Sequence, residues 1–439
     1  MSDGEVSKSI LYTDVYARLR EQYRIVFLVH PKKIKYFRTA LDGEVYVEEM
    51  PHAQSKFLQE IFLDLMLFSV PTRSITVKIE HAYYAGGSWF GRFLKYTLWQ
   101  LGHVRLFRQQ CRFLYQNVPD SSFEKLFQQY KPSLVFAANL TSTDDARLIK
   151  VARKHGIFTV GMPKGWDNLT LKTLLPIFPD RLLVQTPLLQ RDAEALDYPP
   201  EQIVLTGFPK FDTYADKSDI PTREEFMRSL GLDPSTKLIV YAGAGDMLAP
   251  QDEEVLANFL DAIDRGEVLG RPSVIVRPHP KYVYRDDVLP KKDFWVLDRP
   301  GAVVGERLMD FEFRREDILH LKASLWHADL VIHTASTLGV EASILNKPSI
   351  TIGYEPRTVP GALSTARYYH YEHYERVIKT GGMKVARSNQ ELVRYTNEYL
   401  GDASLDSVGR QIIVEENAYR IDGQAGERVA KELIRMIER

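Results

Sequence analysis

Cysteine is almost absent from this sequence: Cys111 is the only one in 439 residues. One thiol can form neither an internal disulfide nor a cysteine metal cluster, which points to a reducing compartment. Long apolar runs are missing too. None reaches about 18 residues, so no membrane-spanning helix is expected. The N-terminus, Met1-Ser-Asp-Gly-Glu-Val-Ser-Lys8, lacks a basic region followed by an apolar core, so no signal peptide is read there. There is no excess charge of one sign. The formal net charge of -1 argues against a general nucleic-acid binder. No fixed-period repeat and no low-complexity segment is found. No His-Glu-x-x-His and no Asp-x-Asp flanked by apolar residues occurs, so no metal is expected. The third glycine and spacing of the dinucleotide fingerprint are also missing, and NAD is not inferred. One last absence is local: from His81 to Pro119 there is no acidic residue at all.

The composition that remains is ordinary for a globular protein, 44% apolar and 26% charged. The length suits two domains. Apolar runs that read as strands alternate with helical periodicity. In the first half the strands are Tyr23–His30, Ser74–Glu80, Ser133–Ala138, Phe158–Met162, Arg181–Val184 and Ile203–Thr206. Helices are expected over Pro51–Phe68, over Ser88–Gln116 with a break near Gly102, and from the Asn139–Asp145 loop to His155. Phe208–Pro234 reads as a connector with one helix. A second series follows, with strands at Lys237–Ala242, Pro272–Val276, Phe294–Leu297, Leu330–Ile332 and Ser349–Ile352. Helices fall at Asp252–Arg265 and Gln424–Glu438, the latter with Val429, Leu433, Ile434 and Ile437 on one face. Such alternation implies parallel sheets covered by helices. The expectation is an α/β protein of two doubly wound domains facing across a cleft. The first spans 1–210. The second spans 211–410. Residues 411–439 form a C-terminal helix that crosses back to the first domain. Ligands in such sheets bind at the carboxyl ends of strands.

Four loops fall at those ends. In Arg277-Pro278-His279-Pro280 the prolines fix the backbone; Arg277 can clamp a phosphate with two bonds, and His279 can donate to a phosphate oxygen or be merely structural. In Tyr241-Ala-Gly-Ala-Gly-Asp246, Gly243 and Gly245 either let backbone approach a ligand or form a plain tight turn. In His333-Thr-Ala-Ser-Thr337, Thr334, Ser336 and Thr337 precede a short helix with Val340, Ala342, Ile344 and Leu345. Ser336 and Thr337 hold a phosphate there or cap the helix, and Glu341 binds sugar hydroxyls or favours the helix start. In Pro163-Lys-Gly-Trp-Asp-Asn-Leu-Thr-Leu-Lys172, Asp167 is either a general base on an acceptor hydroxyl or, like Asn168, a turn cap. His30, Lys164, Trp166, Asn168 and Lys172 are the acceptor-binding candidates, and His279 joins Asp167 as a catalytic candidate. His370 and His373, three apart, are expected on one helix face, where they either bind zinc or, as the preferred reading, belong to an aromatic helix packed beside the cleft.

The acid-free segment from His81 to Pro119 carries Arg92, Lys95, Arg105, Arg108 and Arg112, interleaved with Tyr83, Tyr84, Trp89, Phe90, Phe93, Tyr96 and Trp99. Three readings fit it: a helix on an anionic membrane surface, a site for an anionic lipid-linked acceptor, or a core-facing helix with a solvated basic face.

Arg277-Pro-His-Pro280, together with His333-Thr-Ala-Ser-Thr337, Glu341-Ala342 and Lys347-Pro348, resembles the C-terminal domain of the CDP-glycerol glycerophosphotransferases. These belong to the GT-B glycosyltransferases of bacterial surface polysaccharides. A related pattern in bacterial sialyl- and Kdo transferases uses a His-Pro motif and a Ser/Thr motif to hold a CMP moiety. UDP-GlcNAc 2-epimerases share the fold and a similar helix start. The resemblance covers most of about 160 to 375. It implies a GT-B fold with two Rossmann-like domains, the first binding the acceptor and the second the nucleotide donor, and no cofactor beyond a nucleotide-activated substrate. The glycerophosphotransferase segment Trp-His-Gly-Thr-Pro-Leu-Lys aligns with Trp166-Asp-Asn-Leu-Thr-Leu-Lys172, which puts Asp167 where that family has its basic His. The Asp-Tyr-Ser-Ser segment of that family differs too, since His333 and Thr334 replace its first residues. A carboxylate base is common in inverting GT-B enzymes. The resemblance therefore implies an inverting, metal-independent glycosyltransferase that moves a CMP-, CDP- or UDP-linked sugar to a surface glycan or lipid-linked acceptor. Glycerophosphotransfer and nucleotide-sugar epimerisation are the alternatives. The expected location is cytoplasmic, peripheral on the inner face of the membrane.

Overall fold

A computed structural model describes residues 4–41, 43, 45–52, 56–306 and 310–439. Residues 53–55, inside the helix expected from Pro51, and Met1–Asp3 of the N-terminus lie outside the described residues. The chain forms two compact units. One comprises Met1–Asp212, Tyr371–His373 and Gln424–Arg439; the other comprises Thr213–His370 and Tyr374–Gly423.

The second unit is built on a six-stranded parallel sheet. Its order is Lys384–Ala386, Ser349–Ile352, Leu330–His333, Leu238–Ala242, Ser273–Val276, Trp295–Leu297. Counted along the unit, that is 6-5-4-1-2-3, a doubly wound sheet. The winding reverses between Leu238–Ala242 and Leu330–His333, which pair in register from Leu330 on Ile239 to His333 on Ala242. The four inner strands are buried along their whole length. That explains why they read as unbroken apolar runs rather than alternating ones: helices cover both faces. Helix Asp252–Asp264 contributes Val255, Leu256, Phe259, Leu260 and Ile263 to this core, and helix Asn389–Gly401 adds Leu392 and Tyr399.

The first unit holds a four-stranded parallel sheet in chain order, Leu134–Ala137, Phe158–Gly161, Arg181–Val184 and Ile203–Leu205. The strand Val26–Val29 does not join it. It pairs in parallel with Tyr46–Glu49, a strand the sequence reading missed. Both sheets share one core, in which Val29, Phe37, Val160 and Leu183 pack with Val429, Leu433 and Met436 of the last helix, Ala425–Ile437. The buried stripe of that helix runs 429, 433, 436, so Met436 takes the inward place assigned from sequence to Ile434 and Ile437.

Ser74–Glu80, read as a strand, is a helix, Arg73–Tyr84. Its β-branched residues suggested a strand, but the buried apolar pair is Ile75 and Ile79, one helical turn apart. The long helical segment does break near Gly102, into Trp89–Gly102 and Arg105–Asn117. A Cβ at Gly102 would lie 2.2 Å from the Ser69 carbonyl oxygen, so the close approach of backbone requires glycine. Arg108 and Arg112 do not form a solvated basic face. Both turn inward onto Asp197, with contacts of 2.6 and 3.0 Å. Among the described residues, no helix is long and apolar enough to cross a membrane.

Candidate functional site

The candidate residues fall into two groups, one in each unit. In the second unit the loops after Leu238–Ala242, Ser273–Val276 and Leu330–His333 all leave the carboxyl edge of the sheet around the point where the winding reverses. In doubly wound sheets, that is where ligands bind. Two backbone bonds lace the first two loops together: Gly243 N–H donates to the Arg277 carbonyl at 3.1 Å, and His279 N–H to the Gly243 carbonyl at 2.7 Å. The glycines make that contact sterically feasible. A Cβ on Gly243 would lie 2.5 Å from the Tyr284 ring. Gly245 has φ +78°, and a Cβ there would lie 2.7 Å from Tyr282. Both glycines are thus explained by packing within the protein.

Asp252, the first residue of its helix, escaped the sequence reading and is the centre of this group. It is buried under the glycine turn. Tyr241 Oη donates to its Oδ1 at 3.2 Å, Ala244 N–H to its Oδ2 at 3.2 Å, and Thr334 Oγ1 to its Oδ1 at 3.5 Å. It therefore ties the two loops on either side of the winding reversal. The available signal was an acid opening a helix shortly after Gly-x-Gly, although an acid there is also the commonest decoration of a helix start. Burial raises the Asp252 pKa from 3.8 to about 7. The folded state then favours the neutral acid, so stability falls as pH rises through that window and the full loss is present above it. Asp252→Asn cannot ionise. The stability of this variant relative to the parent should rise from about pH 4 to about pH 7 and level off above. Urea midpoints across that range check this, and a flat difference contradicts it.

Other residues of this group are already engaged. The Arg277 guanidinium is buried and bonded to Asp298, which also lies 3.2 Å from His320 Nε2. Ser336 Oγ accepts the Leu338 N–H at 3.2 Å, so it acts as a cap, and Thr337 makes no capping bond with its side chain. Glu341 is buried and accepts from the Tyr214 hydroxyl. His279 Nδ1 accepts from Lys281 N–H at 3.2 Å, which places the proton of a neutral ring on Nε2, and its ring stacks on Tyr282 at 4.6 Å. His333 is fully buried at its strand end, and burial lowers its pKa to about 3. Its Nδ1 accepts from Ser336 N–H at 3.4 Å, while its other edge fills the space that glycine leaves at Gly339.

In the first unit, strand Phe158–Gly161 leads into the Lys164–Lys172 segment. Asp167 sits just ahead of the short helix Asn168–Leu171, with no side-chain capping bond of its own. The capping role falls to Asn168, which is buried: its Oδ1 accepts from Gly165 N–H at 3.0 Å and from Thr141 Oγ1 at 3.3 Å. Asn168 Nδ2 also donates to Asp167 Oδ1 at 3.0 Å, aiming that carboxylate. Asp167 Oδ2 lies 3.6 Å from Lys172 Nζ, and the Asp167 side chain keeps 26% of its exposure. Burial alone would raise its pKa, but the positive charges of Lys172, His373 and Lys164 outweigh it and hold the carboxyl below its usual range. Trp166 packs its ring against His373, edge to face at 5.0 Å, and Thr170 Oγ1 is 3.3 Å from His373 Nδ1. His370 ends a separate turn, Thr365–His370, while His373 lies in the helix Glu372–Lys379, so the two do not share a helix face. Lys78 was not anticipated: its Nζ donates to the Leu171 carbonyl at 3.0 Å, and burial, with Lys172 nearby, lowers its pKa to about 8. Its signal was hidden because Ser74–Glu80 was read as a strand. His30 caps the turn Pro31–Lys33 through Nδ1, after the strand that pairs outside the four-stranded sheet. Among the described residues no cluster of three or more His, Cys, Asp or Glu could hold a metal ion.

No protein-family model matches the chain, and no curated protein matches it in sequence. Solved structures do match. The calicheamicin glycosyltransferase CalG4 superposes with a TM-score of 0.54 at 12% identity, covering 100% of this chain and 97% of that one. The UDP-GlcNAc 2-epimerase of Methanocaldococcus jannaschii gives 0.53 at 14% identity, covering 98% and 96%. The chain has a GT-B fold. The UDP-GlcNAc 2-epimerase of Neisseria meningitidis, solved with UDP-GlcNAc bound, gives 0.51 at 14% identity over 75% of this chain and 82% of its own. Two Rossmann-like domains, expected from the alternation of strands and helices, are therefore present. The narrower glycerophosphotransferase resemblance has no counterpart among these matches.

Proposed function

We propose that the chain is a nucleotide-sugar enzyme, and specifically an inverting glycosyltransferase. The observation that carries the reading is the position of the Gly243–Gly245 and His279 loops at the winding reversal of a 6-5-4-1-2-3 sheet, braced by Asp252. In this reading the second unit holds the donor. His279 Nε2–H donates to a phosphate oxygen, where negative charge builds as the nucleotide departs. The glycine turn lines the phosphates, and the loop after His333 closes the other side. Arg277 is bonded to Asp298 and Ser336 to its own helix, so their share in phosphate binding requires an exchange of partners when the donor arrives. Asp167 of the first unit is the base: ionised at neutral pH and aimed by Asn168, it takes the proton of the acceptor hydroxyl as that oxygen bonds to the anomeric carbon and the anomeric bond to the departing nucleotide breaks. The acceptor is a surface glycan or a lipid-linked sugar.

Epimerisation is the second reading, favoured by the neighbour solved with UDP-GlcNAc. Product analysis separates the two. Under the leading reading, mass spectrometry finds a new glycoside only when both donor and acceptor are supplied, and the donor sugar is unaltered when the acceptor is omitted. An isomerised sugar formed from donor alone contradicts transfer. A product carrying glycerol phosphate from CDP-glycerol identifies the third possibility.

A further inference from the structure

Helix Arg105–Asn117 is inverted relative to an ordinary surface helix. It buries Arg108, Cys111, Arg112 and Tyr115. Leu106, Phe113 and Leu114 face outward. The preceding helix, Trp89–Gly102, does the same at its start, where Trp89 is 71% and Phe93 61% exposed, with Phe90 and Leu94 exposed beside them. Leu101 and Val104 continue the apolar surface across the junction. Isolated apolar side chains are normal on a protein surface, but a run of large aromatic and aliphatic ones over two successive helices marks an interaction site. Its charge is one-sided. No acid occurs between His81 and Pro119; of the two that flank it, Glu80 is bonded to Arg92 at 3.0 Å and Tyr96 at 2.7 Å, and Asp120 to Arg147 at 2.9 Å. Arg105 stands in the junction with its side chain 71% exposed.

We propose that this face, formed by Trp89–Gly102 and Arg105–Asn117, docks on an anionic phospholipid bilayer. Trp and Phe side chains suit the boundary between headgroups and acyl chains, and a segment without acids that exposes Arg105 suits anionic headgroups. A second copy of the chain is a poorer occupant. A twofold contact would set the same acid-free segment of two copies together, so neither segment offers a carboxylate to the arginines of the other. The inward-turned arginines fit the same picture: with their charges satisfied on Asp197, the outer surface is left to apolar side chains.

Co-sedimentation of the full chain with vesicles tests this. The wild-type chain is expected to pellet with phosphatidylglycerol–phosphatidylcholine vesicles, and less with phosphatidylcholine alone. Phe93→Ser combined with Phe113→Ser should cut vesicle partitioning by more than about tenfold without lowering the melting temperature, because both side chains are exposed. Arg105→Glu should weaken binding to the anionic vesicles and leave the weak binding to neutral ones unchanged. Three results would overturn the proposal: a wild-type chain that stays in the supernatant with both vesicle types, a double variant that pellets like wild type, or a wild-type dimer that the double substitution dissociates without any vesicle binding.

Discussion

Asp167→Asn is expected to lower turnover by about 10²–10⁴-fold while donor affinity stays close to wild type. The substitution is nearly isosteric, and the new amide oxygen can still accept the 3.0 Å bond from Asn168 Nδ2. Lys172 loses its partner, but its side chain is 47% exposed, so water replaces the carboxylate at small cost. What disappears is the proposed proton acceptor. The proposed donor contacts lie in the second unit, so the loss should appear in kcat and not in the affinity for the nucleotide. The pH profile adds a second check. Desolvation pulls the Asp167 pKa up, but Lys172, His373 and Lys164 override it, so the acid limb of kcat/KM should fall below the usual carboxylate range. Lys172→Met removes the strongest of those positive charges and should move that limb upward. Wild-type turnover in Asp167→Asn would remove Asp167 from the chemistry, whatever the donor proves to be.

The second large effect concerns stability. Asp197→Ala should destabilise the first unit by about 3–5 kcal/mol. Asp197 sits among three arginines. Arg108 reaches both its oxygens, at 2.8 and 2.6 Å, and Arg112 reaches Oδ2 at 3.0 Å, all with little exposure. Arg105 approaches at 3.5 Å from the surface. The buried pair also bonds to the carbonyls of Gly102, Leu175 and Leu196. Those carbonyls satisfy N–H groups but supply no full negative charge, so removing the carboxylate strands two cations in a low-dielectric site. A buried ion group differs from a surface one in exactly this asymmetry: breaking it is costly, whereas replacing the whole set by apolar side chains of similar volume is close to neutral. Asp197→Asn together with Arg108→Met and Arg112→Met should therefore recover part of the lost stability: Asn suits the left-handed backbone at 197 (φ +70°), but the Gly102, Leu175 and Leu196 carbonyls lose their arginine donors. Urea denaturation of the single and triple variants measures both. A single variant within about 1 kcal/mol of wild type would show that the site is far better hydrated than its burial implies.

Unbroken buried strands such as Leu238–Ala242 and Leu330–His333 were legible because full burial leaves a continuous apolar run, and helix Ala425–Ile437 was legible from its period. The strand Tyr46–Glu49 was not, because only Val47 is buried and the acids around it look like a loop. Arg73–Tyr84 was misread because its β-branched residues outweighed a helical spacing of two isoleucines. In the candidate site, the loops could be located but their internal bonds could not. A sequence does not reveal that Asp298 will occupy Arg277, that Tyr214 will occupy Glu341, or that Asn168 rather than Asp167 will cap its turn. Each of these partners lies far away in the chain or belongs to a choice between adjacent side chains. Asp252 shows the same limit from the other side: its neighbours Tyr241, Ala244 and Thr334 converge only once the sheet is wound.

Calorimetric titration of nucleotides into the wild-type chain and into His279→Ala tests the central claim, that the winding reversal of the second unit is a nucleotide site, most directly. The expected result is saturable one-to-one binding of one of CMP, CDP, UDP, GDP or ADP, weakened by about tenfold or more in His279→Ala, as loss of a hydrogen bond to a charged phosphate requires. Failure of the wild-type chain to bind any of these nucleotides, or equal affinity in the two proteins, would contradict it.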